Sequence, residues 1–142
     1  MASPRSTVLV WLATLFAFLA LDAVWISMVA LDMFKSQLGN ILRPQPVVSA
    51  IVAFYLIYAV GLFVLAVRPA LAAGSARIAA TSGAMLGLTA YSTYDLTNLA
   101  LIERYTVGLA VSDLVWGTVA SLLASIAGYA VGRKLNAQGA KR

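Results

Sequence analysis

The sequence predicts an all-α membrane protein, a bundle of four transmembrane helices running alternately up and down. Two observations carry that expectation. Of 142 residues, 62% are hydrophobic and 11% charged, whereas a water-soluble domain has about 45–50% apolar and about 25% charged residues. With a mean hydropathy of +0.91, the chain's main solvent should be lipid. The charges also fall in clumps, and the four gaps between them each hold the roughly 20 apolar residues that a helix needs to cross a bilayer. The length suits one domain over residues 1–142.

The first gap runs from Arg5 to Asp32 and predicts a helix over roughly 7–31. Its apolar run continues through Ile26, Met28, Val29 and Leu31, longer than the core of a cleavable signal, and is read as a span. The second gap, Arg43 to Arg68, predicts roughly 47–67, opened after Pro44 and Pro46 and followed by a connection that Pro69 and Gly74 interrupt. Arg77 to Glu103 predicts roughly 78–102, and Arg104 to Arg133 roughly 105–132, joined by a very short turn at Arg104 and Tyr105. The long connection from Asp32 to Pro46 carries Phe34, Leu38 and Ile41 at helical spacing opposite Lys35 and Gln37. That pattern predicts a short amphipathic turn in the headgroups, either a lid on the bundle or a plain interfacial loop.

The N-tail, second connection and C-tail share one side and carry Arg5, Arg68, Arg77, Arg133, Lys134, Lys141 and Arg142, against Lys35, Arg43 and Arg104 on the other. The side richer in Lys and Arg faces the cytoplasm, so both termini are expected there, where the basic C-tail can touch anionic headgroups. Trp11 and Tyr129 towards the cytoplasmic ends and Tyr105 at the outer end read as interfacial aromatics. No feature reads as a nucleic-acid site. Gly83 and Gly87 on the third helix, with Gly117, Ser121, Ser125 and Gly128 on the fourth, predict close helix contacts within the bundle, homodimerisation being the rival reading. The absence of Cys and His excludes disulfides, thiolate or imidazole metal sites, cysteine nucleophiles and an imidazole base.

Three carboxylates stand where a span should have none: Asp22, Asp95 and Asp113. Each costs several kcal/mol to insert and so needs a reason. At about 1.5 Å per residue, they lie roughly 4–8 Å from their helix midpoints, and up-down topology displaces all three the same way. They should therefore share one layer in the outer half. Tyr91, Asp95 and Asn98 share a helix face with Tyr94 beside them, Asp22 and Asp113 each have a Trp three residues on (Trp25, Trp116), and Tyr55 and Tyr58 sit in the outer half of the second helix. Phenol, indole and amide donors can satisfy a buried carboxylate without a full positive charge. The pattern predicts an acidic pocket with aromatic walls. No Lys or Arg occurs inside a span, so charge balance calls for a proton on at least one carboxyl, a bound cation, or Lys35, Arg43 or Arg104 reaching in.

Leu21-Asp22-Ala23-Val24-Trp25, Tyr91-Ser92-Thr93-Tyr94-Asp95-Leu96-Thr97-Asn98-Leu99-Ala100 and Asp113-Leu114-Val115-Trp116-Gly117 resemble the bacterial integral-membrane family called domain of unknown function 2177. The resemblance covers nearly the whole chain, and its most specific stretch is Tyr94 to Leu99. At Glu103-Arg104-Tyr105-Thr106 the chain departs from the Trp-Pro type of turn of that family. The resemblance implies a small multi-pass protein of the bacterial inner membrane and brings no activity or cofactor with it.

Three functional readings remain open at this level. The layer binds or transports a proton, a cation or a small cationic ligand, with Trp25, Trp116 and the tyrosines as cation–π faces and a homodimer to complete a pathway. Alternatively, paired carboxylates act as acid and base on a lipid or isoprenoid, with Asp95, Asn98 and Asp113 offering oxygen ligands to Mg²⁺ or Mn²⁺. In the third, the polar groups only hold the helices together, although interhelical hydrogen bonds in membranes average about 0.6 kcal/mol, less than a carboxylate costs to insert.

Overall fold

A computed structural model describes residues 4–139, which are almost entirely helical. Lys141 and Arg142 of the basic tail lie outside the described residues. Four continuous helical stretches follow one another: α1 (Pro4–Ile41), α2 (Val48–Ala73), α3 (Ala76–Leu101) and α4 (Val107–Gly139). By length and composition α1, α2 and α4 are able to cross a membrane. With 26 residues, α3 extends about 39 Å but is less apolar. α4 packs along α3 and α1, and the second half of α2 closes against α3.

Many of the residues inside the bundle are small, and the outside is large and apolar. Ala59, Ala66, Ala79, Ala120, Ala124, Ser121 and Ser125 are fully buried, while Met28, Ile57 and Leu101 are 75%, 72% and 83% exposed. Water would not tolerate so continuous an apolar exterior, and lipid does. Along the α3–α4 seam the glycines leave no room for a side chain. A Cβ at Gly87 would stand 2.6 Å from the Gly117 carbonyl oxygen, and one at Gly83 2.8 Å from that of Ser121. These two glycines are thus used within the chain.

Three expectations need correction. The first helix does not stop near residue 31. It passes through a π turn at Ile26–Ala30, continues over Leu31–Leu38 and closes in a 3₁₀ turn at Gly39–Ile41, because nothing before Gly39, at φ +48°, breaks it. Pro69 does not end the second helix either. It follows a π turn at Phe63–Val67, whose wider coil takes the strain of the missing N–H, and the helix ends at Gly74, left-handed at φ +65°. There the Ser75 N–H bonds back to the Ala70 carbonyl at 3.0 Å, the closure that a left-handed glycine permits. Finally, Tyr105 and Tyr129 do not present their rings to the surroundings as interfacial aromatics would: they are 3% and 9% exposed. Tyr129 packs on Ala70 and Ala79, and Tyr105 on Leu38 and Leu109.

The segment after the π turn of α1 lies across the end of α3 and α4. Leu38 is buried, and Phe34 meets the Tyr105 ring edge-on at 6.2 Å. Thr106 caps α4, its hydroxyl accepting the Leu109 N–H at 3.3 Å and donating to Gln37 Oε1 at 2.5 Å. One side chain therefore both starts α4 and ties down the end of α1.

Candidate functional site

Asp113 is tied to α1 through Trp25, and Trp25 stacks on the tryptophan that lies beside Asp22. The Trp25 indole N–H of α1 donates to Asp113 Oδ1 of α4 at 3.0 Å, and Trp25 stacks on Trp116 with centroids 5.2 Å apart and planes 11° from parallel. Trp116 in turn lies beside Asp22, though its buried N–H closes no hydrogen bond. The Tyr55 hydroxyl of α2 donates to Asp22 Oδ2 at 2.5 Å. The i, i+3 spacing of Asp and Trp on α1 and again on α4 makes this exchange geometrically available, since both pairs lie on one face of their own helix.

Asp95 sits a step away, fully buried. Its Oδ1 accepts the Tyr105 hydroxyl at 2.6 Å, while Oδ2 has no partner. Burial, and then the hydrogen bond to Asp95, hold the Tyr105 phenol above its ordinary pKa.

The remaining predicted residues are spread around this core. Tyr58 bonds to Ser121 Oγ at 2.7 Å instead of to a carboxylate. Tyr91 meets Tyr58 edge-on at 6.3 Å, its ring over the bare backbone of Gly117. Tyr94 is half exposed and stands edge-on to Tyr105 at 6.4 Å, with Asn98, half-buried, interacting with its hydroxyl. Sequence reasoning missed two members. Tyr105 was assigned to the interface and Ser121 to packing alone; the short turn before α4 was the available signal for Tyr105.

Neither of the two best-formed cavities borders Asp22, Asp95 or Asp113. Lys35, Arg43 and Arg104 are all exposed, so the reach of an outer-loop cation into the layer is not what balances it. Among the described residues no three acidic side chains are grouped to hold a metal ion.

An apolar exterior around buried carboxylates, with helices long enough to cross a bilayer, defines a multi-pass membrane protein. The chain belongs to the family of predicted membrane proteins DUF2177, whose family model matches residues 7–130. No curated protein and no solved structure matches it.

Proposed function

We propose that the protein is a single-domain, four-span bundle of the bacterial inner membrane with both termini cytoplasmic, and that its acidic layer binds a proton or a small cation as part of transport. The observation that carries this reading is the Trp25 N–H of α1 on Asp113 of α4, with Trp25 stacked on the Trp116 that lies beside Asp22. Among the described residues the donors to these two carboxylates, Trp25 and Tyr55, are neutral. Such a site leaves negative charge for a mobile cation to neutralise, which hydrogen-bonding glue would not need. A proton is the simplest occupant, because a carboxyl oxygen carries it without further ligands.

The fourth span is supported by how α3 handles its polarity. Thr81, Thr89 and Thr93 are exposed, yet each hydroxyl bonds the carbonyl four residues earlier, at 2.9, 2.9 and 2.8 Å, and Thr97 does the same to Thr93. Hydroxyls satisfied within their own helix can face lipid.

Proteoliposomes with an internal pH dye test the proposal. Wild-type protein should dissipate an imposed pH gradient or give a sodium-coupled signal, and D113N, which keeps an oxygen for the Trp25 N–H, should lose at least tenfold of the rate while staying folded. If wild-type vesicles hold both gradients as well as empty ones, and D22N and D113N alter only stability in detergent, the layer is structural and the proposal falls.

A further inference from the structure

The end of the bundle opposite the acidic layer carries a different kind of site. All five acidic residues, Asp22, Asp32, Asp95, Glu103 and Asp113, belong to the half nearer the α1–α2 and α3–α4 turns. Among the described residues the other end, where α1 begins and α2 and α4 finish, has Arg5, Arg68, Arg77, Arg133 and Lys134, and no acid. A groove of about 880 Å³ opens there between the first turns of α1, the end of α2 and the end of α4. Val10, Phe63 and Val64 line its deeper part, and Thr7, Arg68 and Asn136 its outer part. Val64 precedes Arg68 by one helical turn, about 6 Å deeper in the bundle.

We infer that this groove is a binding site for a glycerophospholipid with a net negative headgroup. An acyl chain would lie along Val10, Phe63 and Val64, and the phosphate would meet the Arg68 guanidinium, with Thr7 and Asn136 as neutral hydrogen-bond partners. The order of chemistry, apolar at depth and cationic at the rim, is that of a lipid standing in its own leaflet. Charge chooses the headgroup. A zwitterionic lipid would bring an ammonium into a region of five cations without one carboxylate to receive it, whereas an anionic lipid meets only attraction. Arg68 differs from the other four cations in lining the groove itself, so the site is local and not the summed effect of a basic surface. It lies at the other end from the proposed transport layer and stands or falls independently of it.

Native mass spectrometry of the full chain, released from detergent after titration with phosphatidylglycerol or phosphatidylcholine of identical chains, tests the site. Phosphatidylglycerol should be retained at least fivefold more strongly. R68Q should weaken that retention about fivefold, the loss of one basic contact, while R77Q, the same charge change at the same end but outside the groove, should leave it within twofold. V64W, which fills the groove from its exposed side, should reduce binding of both lipids. Equal retention of the two lipids, equal losses in R68Q and R77Q, or displacement of phosphatidylglycerol by equimolar glycerol phosphate would overturn the inference; the last would make this a site for soluble phosphate.

Discussion

The α3–α4 seam and the acidic layer hold the same bundle together by opposite means. In the seam, Gly83 and Gly87 bring α3 so close to α4 that backbone carbonyls set the limit. In the layer, side-chain hydrogen bonds to carboxylates do the joining: Trp25 to Asp113, Tyr55 to Asp22, Tyr105 to Asp95. The seam therefore tolerates loss of polarity but no gain in volume. The layer tolerates a change of volume better than the loss of a donor.

The largest expected effect breaks the seam. Gly87→Val places a side chain against the Gly117 carbonyl, which cannot swing aside as a flexible side chain would. Destabilisation of about 3 kcal/mol, the upper part of the usual overpacking range, should appear in detergent–SDS unfolding curves. A smaller cost than that of Tyr55→Phe would reverse the comparison. Tyr55→Phe keeps the ring and removes the donor to Asp22. A buried acceptor left without its partner costs about 1–3 kcal/mol, so about 2 kcal/mol is expected, against the 0.6 kcal/mol average for membrane hydrogen bonds.

Alkaline titration sharpens the contrast, since the seam has nothing to titrate. Tyr105 is raised by burial and by Asp95. The unfolded phenol ionises near pH 10 while the folded one stays neutral, so the unfolded state loses protons first. Stability is then full below about pH 9 and falls above it, by about 1.4 kcal/mol at pH 11. Tyr105→Phe should make that alkaline decline shallower, and an unchanged decline would remove Tyr105 from the layer. Smallest of all, Thr93→Val breaks a bond within one exposed helix face and should shift stability by less than about 0.5 kcal/mol, outside both regions.

Much of the frame was legible in the sequence, because a bilayer demands long uncharged runs and these stand out against few charges. That Asp22 and Asp95 turn inward was legible too, since a carboxylate facing lipid would cost several kcal/mol. What could not be read was rotation and partnership. Nothing in the Asp–Trp spacing says that Trp25 serves Asp113 instead of its own neighbour Asp22. Tyr105 looked interfacial because it sits beside Arg104 in a turn, and it is buried only because Phe34 and Leu38 fold over it. Pro69 looked like a terminator because a wider turn just ahead of it leaves no mark in hydropathy.

The π turn at Ile26–Ala30 also acts as a phase shifter. Counting from Asp22 at 3.6 residues per turn, an unbroken α-helix would carry positions near 29, 33 and 36 inward. One extra residue in the coil advances that sequence, and the inward positions become Ala30, Phe34 and Leu38, with Asp32 left in the open. A single rod thereby presents a carboxylate to the centre in one half and a greasy clasp in the other, without a joint or a loop between them.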